Sequence, residues 1–180
     1  MKKLISILAL TLLLTACNNK WDQSDPSADE AWSQEQQEIL GKNLLILEED
    51  SENSTALFEV AFRYQQLGDW KQSVSYYEKV LEQNENDWAT LNNLASMYET
   101  MEDYDKAAEY IRKLYLVDQS SIEVIKDTVR ILLKAGDTVN TEEAVANFEK
   151  LVIDPANPNA DMQEFIAELR ADIEEWKAGK

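Results

Sequence analysis

The chain contains no histidine and one cysteine, Cys17. That composition removes imidazole acid-base chemistry and every metal site built on His and Cys ligands, and it leaves no cysteine pair for an internal disulfide. Glycine occurs four times, at positions 41, 68, 136 and 179, too scattered for a phosphate-cradling loop. Proline occurs three times, so a sheet would be short of turn residues, whereas the abundant Ala, Leu, Glu, Gln and Lys suit helices. Cations are also scarce. With 17 Lys and Arg against 35 Asp and Glu, the formal charge is −18. Nucleic acid is thereby excluded as a partner, and a basic patch cannot hold the chain on an anionic bilayer. Carboxylate pairs could in principle hydrolyse a glycoside, but among 35 acidic residues such pairs arise by chance, and no enzyme is expected.

The N-terminus carries the first positive signal. Met1-Lys2-Lys3 is a short basic start, and Leu4 to Leu14 is apolar apart from Ser6 and Thr11. This is the pattern of a secretory signal, too short to span a bilayer, which takes about 20 apolar residues. Leu14-Thr15-Ala16-Cys17 closes it and resembles a bacterial lipobox. The resemblance implies cleavage before Cys17, which would carry a diacylglycerol thioether and an N-acyl chain and become the mature N-terminus. Two or more chains suffice for a stable anchor. An ordinary secreted protein with an incidental cysteine is the alternative. No other cofactor is implied. Asn18, where inner-membrane retention favours Asp in such families, implies the outer membrane in a Gram-negative host. After removal of 1–16, 15 cations face 35 acids, for a charge of −20.

Residues 17–32 read as the lipidated cysteine and a flexible acidic tether, with Asp22, Asp25, Asp29 and Glu30 and no apolar stripe. The spacing of its aspartates does not fit a calcium loop. Ser33 and Gln36 make a capping box opening a helix over 33–53, in which Ile39, Leu40, Ile46 and Leu47 form the apolar stripe.

Beyond residue 53 the chain repeats. Gly68-Asp69-Trp70, Glu102-Asp103-Tyr104 and Gly136-Asp137-Thr138 start 34 residues apart, the length of one helix-turn-helix unit. In the first copy Leu57, Val60, Ala61 and Tyr64 precede the turn, and Ser73, Tyr77, Val80 and Leu81 follow it. The second copy gives Leu91, Leu94, Ala95 and Tyr98, then Ala107, Ile111, Leu114 and Tyr115, without a gap. A third copy opens with a capping box at Ser120-Ser121-Ile122-Glu123, continues through Ile122, Ile125, Val129 and Leu132, and resumes at Ala144, Phe148, Leu151 and Val152. Its next small residue, Ala144, comes three positions late, which predicts a longer turn over 138–141. Asp154-Pro155 marks its end. Met162, Ile166, Leu169, Ile173 and Trp176 then recur at helical spacing as a terminal cap.

This pattern resembles the tetratricopeptide repeat over about residues 54–155. The expected fold is an all-α, short α-solenoid of about three helical hairpins with flanking N-terminal and C-terminal helices: repeats over 54–87, 88–121 and 122–157, and a capping helix over 158–180. The resemblance implies a binding scaffold. Its groove positions five and nine fall here on Phe58 and Phe62, then Asn92 and Ser96, then Lys126 and Arg130. These six are the candidate partner groove, with the aromatics as apolar anchors and the cations as partners for a carboxylate. The structural alternative has the phenylalanines covered by the N-terminal helix and the cations bridging neighbouring acids. The family's grip on a C-terminal carboxylate needs Lys and Asn where Phe58 and Phe62 stand, so that mode is not expected.

Taken together, the sequence predicts an exported lipoprotein that presents a repeat array to other envelope proteins or their peptide segments. By analogy its role is envelope assembly. Self-association into a homo-oligomer and, more remotely, binding of a small soluble ligand are the alternatives.

Overall fold

The computed structural model describes residues 26–154 and 159–179. Eight helices lie among them: α1 Pro26–Glu49, α2 Ser54–Gln66, α3 Trp70–Gln83, α4 Trp88–Thr100, α5 Tyr104–Val117, α6 Ile122–Lys134, α7 Thr138–Val152 and α8 Ala160–Ala178. The all-α solenoid expected from the sequence is the fold observed. Hairpins α2–α3, α4–α5 and α6–α7 stack in sequence, with α1 before them and α8 packed on α6 and α7.

Each connection is specified locally, and twice per repeat. Between hairpins, Asn53, Asp87 and Ser121 cap α2, α4 and α6, their side chains accepting from the backbone N–H of Ala56 (3.0 Å), Thr90 (2.9 Å) and Val124 (3.3 Å). Within hairpins, Asp69, Asp103 and Asp137 do the same for α3, α5 and α7, accepting from Gln72, Lys106 and Asn140 at 3.2, 3.3 and 3.1 Å. Each cap satisfies an N–H that the helix itself leaves unpaired. The residue before each of these aspartates has positive φ: Gly68 at 78°, Glu102 at 60° and Gly136 at 80°. There the chain leaves the preceding helix through paired bonds of the Schellman type, for example Asp69 N–H to the Tyr64 carbonyl and Gly68 N–H to that of Gln65.

Small residues let the helices approach. Ala61, Ala95, Ser73 and Ala107 are all buried, and Tyr77, Leu91, Leu94, Ile111, Leu114, Ile125, Leu132 and Phe148 fill the interior between hairpins. In α8, Ile166, Leu169 and Ile173 close the far end of this core.

Several sequence expectations are corrected. The turn after Gly136 is no longer than the others, because α7 starts at Thr138. Thr141, not Ala144, fills the small-residue slot, and its hydroxyl bonds back to the Asp137 carbonyl at 2.6 Å, so it adds no unpaired polar group. The cap of α6 is Ser121; Ser120 hydrogen-bonds Asp118 instead. Ile122, Leu151 and Ile46 are exposed rather than part of a buried stripe. Helix α1 starts at Pro26, so 26–32 is helical, and Ser33 and Gln36 lie inside the helix rather than at its cap. Gln36 is buried and accepts from the Arg63 guanidinium (2.7 Å), which fixes α1 on α2. Cys17 and Pro155 lie outside the described residues.

Candidate functional site

Helices α2, α4 and α6 are the first helices of their hairpins and present one common face, which α8 extends. All six groove candidates lie on it. Phe58 and Phe62 are half-buried against the core; Phe58 packs edge-to-face on Tyr77, ring centroids 5.5 Å apart. Phe58 also lines an open groove with Ser54, Thr55, Val80 and Ala89, so it is neither wholly covered nor free. On α4, Asn92 is half-buried and Ser96 exposed, and neither side chain hydrogen-bonds another described residue.

On α6 the cations already have partners. Arg130 pairs with Glu99 of α4 and with Asp127 (2.5 Å), and Lys134 also reaches Glu99 (2.9 Å). Lys126 sits over the Phe165 ring of α8, 5.1 Å from its centroid. Burial pushes the Glu99 carboxyl up, but the hydrogen bonds and charges of Arg130 and Lys134 outweigh it and hold the group below the usual carboxylate range. Burial also lowers the Arg130 guanidinium, and its bonds to Glu99 and Asp127 more than reverse this.

Between α6 and α8 runs a groove of about 590 Å³, with Lys126, Arg130 and Lys134 on one lip, Glu168 and Asp172 on the other, and Phe165, Leu169 and Trp176 among its apolar residues. The face therefore holds two separate grooves, one at Phe58 and one at Lys126 and Arg130, with the Asn92 and Ser96 surface on the helix between. The sequence reading missed Glu99, the shared carboxylate, and Lys134, although Lys126, Arg130 and Lys134 fall at i, i+4 and i+8 on one helix face. It also missed that α8 supplies a wall of the groove. Among the described residues no cluster of three His, Cys, Asp or Glu could hold a metal, and no helix is long and apolar enough to cross a membrane.

Comparison with known proteins supports the repeat reading. Residues 52–120 match the family model of the tetratricopeptide repeat. The chain resembles the solved structure of the MamA RS-1 ArsTM double mutant, at 15% identity and a TM-score of 0.57, over 83% of this chain and 93% of that one. It also resembles a tetratricopeptide repeat protein from Parabacteroides merdae ATCC 43184, at 17% identity and a TM-score of 0.54, over 87% of this chain and 62% of that one. At these identities the likeness is one of fold. No curated protein matches the chain.

Proposed function

We propose that the protein is an exported lipoprotein, anchored through lipid on Cys17, that uses its repeat array as an adaptor for other cell-envelope proteins, with envelope assembly as its setting. Repeat arrays of this kind serve generally as protein-binding scaffolds. The observation that carries the adaptor reading is the exposed face of α2, α4, α6 and α8, with its two grooves, and with Asn92 and Ser96 between them lacking internal partners. Apolar anchors beside unpaired amide and hydroxyl groups suit a peptide segment better than an enclosed small molecule. The anchor reading rests on the Leu14-Thr15-Ala16-Cys17 sequence.

Both parts are tested on tagged protein in its native membranes. Metabolic labelling with an alkyne fatty acid should mark the wild type and not Cys17→Ser, which should move to the soluble fraction; an unlabelled wild type refutes the anchor. For the adaptor, crosslinking and capture from wild type is compared with a Phe58→Ala/Phe62→Ala variant of verified helicity. Loss of a specific partner supports this face. An unchanged partner set moves the interface elsewhere, and concentration-dependent sedimentation without a partner favours self-association.

A further inference from the structure

The outer side of the array, built by α3, α5 and α7, carries a repeated arrangement that the third repeat interrupts. In the first repeat Tyr64 stacks on Tyr76 (5.8 Å) and Lys79 lies over the Tyr76 ring at 4.6 Å. In the second, 34 positions on, Tyr98 stacks on Tyr110 (5.6 Å) and Lys113 lies over the Tyr110 ring at 5.2 Å. Lys113 also pairs with Glu109 at 2.7 Å. The same steps in the third repeat lead to Leu132, Ala144 and Asn147, and Glu109 is matched by Glu143.

The cation has therefore been deleted and its carboxylate kept. Glu143 is exposed and makes no ion pair with another described residue. Lys113 lines an open groove of about 530 Å³ between α3 and α5; the equivalent place between α5 and α7, where Asn147 stands, is a narrower cleft of about 240 Å³ that reaches down to α6. This is below the usual size of a small-molecule pocket and fits a single side chain. At its floor the Thr128 hydroxyl, on a residue only 1% exposed, has no hydrogen-bond partner among the described residues. Tyr115 reaches across it to donate to the Ala144 carbonyl (3.1 Å), so an aromatic ring is still present. Arg112 lines the cleft too, but its charge is taken by Asp137. Exposed Leu116 stands at the mouth, and the connection that follows, residues 118–121, contains Asp118 and no cation.

We propose that the α5–α7 cleft receives one lysine side chain of a partner protein, its alkyl stem on Leu116 and its ammonium between the Glu143 carboxylate and the Thr128 hydroxyl. Charge and shape single out this occupant. A second copy of so acidic a chain, an anionic membrane or a nucleic acid would bring like charge to Glu143 and Asp118. Within the array itself, a lysine holds the matching place one repeat earlier.

The test is a backbone-amide NMR titration of the isotope-labelled protein with the peptide acetyl-Ala-Leu-Lys-Leu-Ala-amide and its acetyl-lysine twin, which keeps the stem and removes the charge. A single anchored side chain corresponds to an affinity of about millimolar. The lysine peptide should shift amides in the second half of α5 and in α7. The twin should bind about fivefold or more weakly, and Asn147→Lys, which restores the internal cation, should weaken the lysine peptide similarly. Glu143→Gln should weaken it about threefold, whereas Glu82→Gln, in the groove that keeps its lysine, should not. The proposal is overturned if the twin binds as well as the lysine peptide, if Asn147→Lys of native circular dichroism binds like wild type, or if shifts spread over the acidic surface and Glu82→Gln matches Glu143→Gln. Should Asn147→Lys fail to fold, Glu143→Gln against Glu82→Gln decides alone.

Discussion

Glu102 is the one described residue other than glycine with positive φ, at 60°, and its place in the turn is held in the neighbouring repeats by Gly68 and Gly136 at 78° and 80°. A side chain in the left-handed region costs about 1–2 kcal/mol. Glycine would remove that cost and return about 0.4–1 kcal/mol of it as extra freedom of the unfolded chain. The Glu102 side chain is exposed and makes no bond to another described residue that its loss would sacrifice. Glu102→Gly should therefore stabilise the fold by about 0.5–1 kcal/mol, raising Tm by about 1–4 °C in a chain of this size. The reverse experiment is Gly68→Ala. A Cβ there would meet nothing within 4 Å, so only the backbone term acts, and a loss of about 0.5–1 kcal/mol is expected. Thermal unfolding followed by circular dichroism, with urea titration to check that m is unchanged, measures both. The reasoning fails if the two substitutions shift stability in the same direction, or if Glu102→Gly destabilises.

Two further outcomes follow from single side chains. The buried Tyr77 hydroxyl donates to Gln65 (3.0 Å) and accepts from Asn93 (2.8 Å), tying α2, α3 and α4 together, so Tyr77→Phe should cost about 1–2 kcal/mol in urea unfolding, and a cost near zero would show that water replaces it. Glu99, held below its ordinary value of 4.5 by Arg130 and Lys134, contributes stability that is complete above the unfolded pKa and is lost as pH falls through the lower folded one. Denaturation midpoints from pH 7 to pH 3 should thus fall less steeply in Glu99→Gln than in wild type; equal slopes would mean that the pair does not form in solution.

The frame of the fold was legible because the residues that set it act locally. An aspartate that caps a helix three residues ahead and a glycine that turns the chain before it work within one turn, so their 34-residue recurrence could be read directly from the sequence. Where the reading failed, the deciding contact was either chemically disguised or distant. Thr141 was passed over as a small residue because of its branched, polar side chain, yet its hydroxyl is absorbed by the preceding turn. The start of α1 was placed too late because 26–32 shows no apolar stripe, although a helix extended from a packed segment does not need one at its end. Lys126 and Arg130 lie on α6, but Glu99, the carboxylate that Arg130 pairs with, comes from the preceding repeat, 31 positions before it. No local pattern announces such a pair.

This division between local frame and distant surface bears on how such an array acquires function. In the third repeat Ser121, Gly136 and Asp137 keep the caps and the turn, and Val124, Ile125 and Phe148 keep the interior, so the hairpin forms as the other two do. Leu132, Ala144 and Asn147 meanwhile abandon the Tyr-Tyr-Lys stack of the repeats before it. In a globular domain the loss of two stacked rings would leave the remaining core to collapse or pay for the cavity. Here each repeat touches only its neighbours, and Tyr115 reaches from α5 to the Ala144 carbonyl, leaving an α5–α7 cleft of about 240 Å³, smaller than the groove at the matching place one repeat earlier. Positions that stabilise the stack in one repeat are thus free to become recognition positions in the next, without a change in the backbone that carries them.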